Sequence, residues 1–82
     1  MAAKETADRS LMRISQAAEA AGVSKQTIEY YILLGLITPI RRPHRRQRLF
    51  DAELIKRIRL IHSLNESGYT LRAIRETYLR RR

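Results

Sequence analysis

Cysteine and tryptophan are absent from this 82-residue chain, and proline and glycine number two and three. Without cysteine there is no disulfide staple and no thiolate to hold a metal, a composition that suits a cytoplasmic protein. Long apolar runs are missing too. No stretch approaches the roughly 18 residues needed to span a bilayer, and MAAKETADRS at the N-terminus lacks the apolar centre of a signal peptide. The chain reads as soluble, with no membrane partner. Near-neutral bases are equally scarce. His44 and His62 are the two histidines, and neither has a carboxylate or a second ligand recognisable beside it, so His62 reads as a packing residue. Catalysis needs convergent nucleophile, base and orienting groups; no enzyme, catalytic residue, metal site or cofactor is expected.

What remains is a folded domain. Hydrophobic residues make up 44% of the chain, too many for a disordered segment. At this length there is room for one small domain, burying about 60–65% of its unfolded surface. Acidic residues are in deficit: 17 lysines and arginines stand against 8 carboxylates, a net charge of +9. The excess is local. Residues 1–40 are neutral overall, 41–50 carry +5, and 51–82 carry +4, of which Arg80, Arg81 and Arg82 supply three. A concentrated basic patch implies a polyanionic partner, most often nucleic acid.

Residues 1–11 are polar, without periodicity, and are expected to fray. Ile14, Ala17, Ala18 and Ala21 then share one helical face, with Ser15 placed to cap the start and Gly22 to stop it. The small alanines allow close helix packing. Val23-Ser24 makes a turn, Ser24 caps a second helix from Lys25 to about Leu34, and Gly35 ends it. One face of that helix carries Thr27, Ile28 and Tyr31; the other carries Gln26, Glu29, Tyr30 and Leu33. Two short helices joined at Gly-Val-Ser have the pattern of a helix-turn-helix, spanning 14–35.

Helical periodicity disappears from Leu36 to Phe50, where Pro39 and Pro43 forbid a continuous helix. Leu36-Ile37 and Leu49-Phe50 bracket a basic middle, which fits a hairpin pinned to the core at its base, over 37–50. Asp51 caps a third helix, with Glu53 in its first turn and Leu54, Ile55, Ile58, Ile61 and Leu64 or Asn65 as its buried stripe. Asn65 to Gly68 breaks it. Thr70 caps a fourth helix with Leu71, Ile74 and Tyr78 inside and cations at its end, so that the third and fourth helices occupy 52–80.

The motifs GVSKQTIEYYILLGLI, RRPHRRQRLFD and IRLIHSLNESGYTLRAIRE, in this order, resemble those of the MerR (mercury-resistance regulator) family, over some four-fifths of the chain. There the corresponding segments read GVS..TIRYYE..GLL, RR....GYRLYD and LRFI..L...GFSLEEIRE. The resemblance implies a mainly α, four-helix winged helix-turn-helix with a short β-hairpin wing, occupying 12–82. It makes the second helix a recognition helix in the major groove, whose outward face of Lys25, Gln26, Glu29 and Tyr30 can reach base edges and phosphates, with Ser24, Lys25, Gln26, Thr27 and Tyr30 as the DNA-binding residues and Tyr31 packed in the core. It makes the arginine hairpin a wing whose Arg41, Arg42, His44, Arg45, Arg46 and Arg48 meet phosphate or the minor groove; Arg41, Arg42 and Arg48 match basic positions of the motif.

Three departures shift affinity from helix to wing. Glu29 replaces the family's arginine and removes a phosphate contact. Ile32 replaces a glutamate, leaving Ile32-Leu33 as an apolar pair for the wing base or a partner to cover, with packing on the wing base the favoured reading. The hairpin tip lacks the family's glycine and carries Arg45-Arg46. Family regulators also continue into a long dimerisation helix and an effector-binding region, so the chain resembles either an excised DNA-binding domain or a minimal member akin to phage excisionases. No ligand pocket is expected in it. The implied function is sequence-preferring binding of double-stranded DNA in transcription regulation, as a homodimer on DNA and with RNA polymerase engaged indirectly. The alternative is a small architectural protein that bends DNA, such as an excisionase or a chromosome-organising factor. Either would sit at the nucleoid, in the cytoplasm, of a bacterium, an archaeon or a phage-infected cell.

Overall fold

The computed structural model describes residues 11–44 and 46–79. Strand β1 (Met12–Arg13) leads into helix α1 (Ile14–Ala21); α2 (Lys25–Leu33), β2 (Ile40–Arg41), β3 (Arg48–Phe50) and α3 (Ala52–Glu66) follow. The last helix, α4 (Leu71–Ile74), widens into a π-type turn over Arg75–Leu79. The three strands form one antiparallel sheet in the order β1-β3-β2. Met12 faces Phe50 and Arg13 faces Leu49 on one side of β3; Ile40 faces Leu49 and Arg41 faces Arg48 on the other.

This third strand corrects the expected start of α1. Because Met12 and Arg13 are extended against β3, Arg13 is the capping residue, and its N–H donates to the Gln16 side-chain oxygen at 3.1 Å. Ser15 therefore lies inside the helix, exposed, and does not cap it. Residues 1–10 of the segment expected to fray lie outside the described residues, as do Arg45 at the hairpin tip and the cationic end Arg80–Arg82.

The turn between α1 and α2 follows from two residues. Gly22 takes φ 74°, which a side chain disfavours, and lets its N–H and that of Val23 reach the Ala18 carbonyl at 2.9 and 3.0 Å. Ser24 is extended, and its hydroxyl accepts from the Thr27 N–H at 3.0 Å. Asp51 and Thr70 cap α3 and α4 in the same way, accepting from Leu54 and Ala73. At the other end of α2, Gly35 at φ 78° turns the chain so that the Leu36 N–H reaches the Tyr31 carbonyl at 2.8 Å.

The core lies where α1, α2, α3 and the sheet meet. Ala17, Ala18 and Ala21 are buried, and α1 packs on both α2 and α3. Phe50, Ile28, Leu36, Ile58, Ile61 and Ile74 are excluded from solvent almost completely. No buried polar or charged side chain occurs among the described residues. Two arginines of α3 reach backbone: Arg57 donates to the Leu36 carbonyl at 3.2 Å, and Arg59 to the Ala20 carbonyl at 2.9 Å, near the C-terminus of α1. Cations at such carbonyls complement the helix dipole.

Two further expectations change. Helix α3 continues to Glu66, past Asn65, which is exposed; Leu64 is the residue that completes the stripe, and the Asn65 amide donates to the Tyr69 carbonyl at 2.8 Å. Tyr78 is 42% exposed and not inside, because the wide turn after Ile74 moves it off the helical stripe. Its ring instead meets Tyr69 edge-on, with centroids 5.7 Å apart.

Candidate nucleic-acid interface

Helix α2 divides as its periodicity predicts. Ile28 and Tyr31 are buried, Thr27 is half-buried, and Lys25, Gln26, Glu29, Tyr30 and Leu33 are exposed. Burial raises the Tyr31 hydroxyl above its ordinary pKa, with the Glu66 charge adding to the effect, so the ring stays a neutral core residue. At the helix start, the Ser24 and Thr27 hydroxyls are 2.9 Å apart and share one proton. Each hydroxyl carries one proton, so the pair retains a second proton able to donate outward, beside the positive end of α2.

The hairpin is held at its base by Leu49 and Phe50, with Leu36 and Ile37 buried near it. Arg41, His44 and Arg46 are exposed, and Arg42 is half-buried. Neither Arg41 nor Arg46 has an acidic partner within 4.0 Å among the described residues; the ion pairs Lys56–Glu53 and Arg72–Glu76 lie on α3, α4 or the turn after it. His62 is half-buried, as a partly buried packing residue is expected to be, but a carboxylate does stand beside it: its Nε2 lies 3.7 Å from the Glu66 carboxylate one helical turn on.

Arg48, unlike Arg41 and Arg46, is paired with an acid. Its guanidinium meets Glu29 as a two-pronged fork, Nη1 to Oε1 at 2.9 Å and Nη2 to Oε2 at 2.8 Å. The hydrogen bond from Arg48 holds the Glu29 carboxyl below its ordinary pKa against the opposing effect of desolvation, with the charges of Arg48 and Lys25 adding smaller contributions in the same direction. Bidentate charge-assisted pairing fixes direction as well as distance, so the fork ties β3 to the outward face of α2. Ile32 of the expected apolar pair is half-buried and packs on the core, lining a shallow cleft with Ile37, Pro39 and Arg41 at the wing base. Leu33 does not pack: it is 79% exposed.

Two residues not singled out in the sequence join the basic surface. Arg13 and Gln16 line an open cleft with Arg42, His44 and Gln47 of the wing; Arg13 also borders a second cleft with Arg46 and Arg48. Only the pairing of β1 with β3 brings them there. A broader open groove runs between the end of α2 and α4, lined by Tyr30, Leu34, Leu71 and Arg75. These clefts are open to solvent.

A helix-turn-helix with an antiparallel hairpin forked onto its second helix defines the chain as a winged helix-turn-helix domain. The model of the MerR HTH family of regulatory proteins matches residues 12–80, and the chain belongs to that family. It is 36% identical over 73 residues to the nodulation protein NolA of Bradyrhizobium elkanii, covering 89% of this chain and 33% of NolA. The mercuric resistance operon regulatory protein of Bacillus cereus is 37% identical over 62 residues, covering 76% and 47%. Among solved structures, HiNmlR, a MerR family regulator lacking the sensor domain and bound to promoter DNA, superposes with a TM-score of 0.74 at 26% identity, over 80% of this chain and 50% of that one. The chain spans a third to a half of the length of these relatives. Among the described residues, no helix is long and apolar enough to cross a membrane.

Proposed function

We propose that the chain binds double-stranded DNA with α2 in the major groove and the wing on the adjoining backbone, as the DNA-reading part of a transcription regulator. The observation that carries this is the fork between Glu29 and Arg48, which sets the arginine hairpin and the exposed face of α2 side by side. Likeness to a regulator bound to promoter DNA supports it. Lys25, Gln26 and Tyr30 face the bases, while Ser24 and Thr27 offer their remaining hydroxyl proton to a phosphate. Arg41, Arg42, His44 and Arg46, with Arg45 between them in sequence, meet phosphates or the minor groove. Arg48 acts through Glu29. The chain works by binding and carries out no reaction. It engages paired half-sites as a dimer, at the nucleoid, and RNA polymerase is an indirect partner.

The test is selection from random duplexes followed by salt titration. Each phosphate contact contributes about 0.9 to the slope of log K against log salt. Arg41→Ala and Arg42→Ala should each lower affinity on all sequences and flatten the slope by about one. Unchanged slopes would remove the wing from the interface. Inverted, evenly spaced half-sites in the selected pool are the outcome for a regulator; tandem or irregular sites bent cooperatively would mark an architectural protein.

A further inference from the structure

We propose that Glu29 is a specificity-determining residue whose carboxylate, held by Arg48, accepts a hydrogen bond from the amino group of a cytosine in the major groove. This rests on the reading of α2 as the recognition helix. The Glu29 side chain is half exposed, at 50%, and stands on the outward face one turn from Gln26 and beside Tyr30.

Chemistry narrows what such a group can meet. An ionised carboxylate accepts and never donates, so it is repelled by phosphates and by the guanine edge, which shows O6 and N7 acceptors. Thymine offers an O4 acceptor and a methyl group. Adenine offers its N6 amino group but sets the N7 acceptor beside it. Cytosine alone presents an amino donor with no adjacent acceptor on its own edge, and carboxylate-to-cytosine N4 is a recognised pairing.

Arg48 makes the contact feasible in two ways. Its charge neutralises that of Glu29, which removes the main penalty for bringing an anion to DNA. Its two hydrogen bonds, of 2.9 and 2.8 Å, occupy one lone pair on each oxygen and leave the other pointing away from the fork. Arg48 is in this sense a positioning residue and does not contribute a phosphate contact.

The experiment is parallel selection from random duplexes with the whole 82-residue chain and with Glu29→Ala, Glu29→Gln and Arg48→Ala, each checked for folding by circular dichroism and titrated with salt on its selected site. The natural chain should enrich cytosine at one position of each half-site, by about five- to tenfold over other bases. Glu29→Ala should lose that preference while the neighbouring positions stay as they were. Glu29→Gln should move it toward adenine. Arg48→Ala should blunt the preference and leave the salt slope unchanged. Identical sites for the natural chain and Glu29→Ala would overturn the proposal while leaving DNA binding intact. So would an Arg48→Ala slope flattened by about one with cytosine still preferred, since Arg48 would then sit on phosphate. If the natural chain enriched no duplex at all, the reading of the domain as a DNA binder would fail, and this proposal with it.

Discussion

At the scale of the residue, Glu29 and Arg48 set the terms for the rest of the surface. Nineteen positions separate them, so nothing in local spacing announces their pairing. Periodicity placed Glu29 on the outward face of α2 correctly, yet taken alone it reads as a lost phosphate contact. The partner becomes visible once β3 is laid beside the helix. Acid provides a direct check. The Glu29 carboxyl is held below its ordinary value of 4.5, first by the Arg48 hydrogen bond. A group depressed in this way contributes fully above its unfolded pKa and loses that contribution as pH falls through its folded one. The fork should therefore be intact at neutral pH and through pH 5, and open below the ordinary carboxylate range. The carboxyl carbon of Glu29, followed by NMR against pH, should titrate with a midpoint under 4.5, and Arg48→Ala should move that midpoint upward.

At the scale of the element, the wing illustrates what a sequence can and cannot announce. Leu36-Ile37 and Leu49-Phe50 stood out as anchors because apolar pairs bracketed a proline-broken basic stretch, and all four are buried. Strand β1 did not stand out, since two residues are too few to show a period of two, and Met12-Arg13 follows a polar stretch. With β1 silent in the sequence, the Arg13 cap of α1 and the place of Arg13 and Gln16 on the basic surface are silent too. Tyr78 went astray for another reason: a regular helix places it inside, and a π-type turn does not advertise itself in side-chain pattern. The wing's dependence on its anchor can be measured. Phe50 is wholly buried where the sheet meets α1 and α3, so Phe50→Ala should cost about 3–5 kcal/mol. Against a total stability of about 5–15 kcal/mol, that is enough to leave a domain this small largely unfolded on mild heating. Urea denaturation followed by circular dichroism would show a large drop in midpoint; a drop under about 1 kcal/mol would mean that the wing base is not part of the core.

At the scale of the whole molecule, a charge of +9 conceals a division of labour. Arg57 and Arg59 are spent on carbonyls and Arg48 on Glu29, whereas Arg41 and Arg46 remain at the surface of the wing. Net charge indicated a polyanion as the partner, and segment charge indicated where. Which cations serve the fold and which face outward depends on the approach of α3 to the α1 terminus and of β3 to α2, both distant in sequence.

The sheet also bears on the order in which the molecule assembles. Register pairs Met12 with Phe50 and Arg13 with Leu49, 38 and 36 positions apart, while the caps and turns of α1 and α2 close within five residues. Closing a long loop is entropically slower than closing a short turn. The helix-turn-helix should thus form early and β1 should dock last. In the native ensemble the same edge should open first, at a cost well below global unfolding. Hydrogen exchange would register this as weak protection for the β1–β3 amides beside strong protection for α3, and equal protection would show that the sheet and the helices open as one unit.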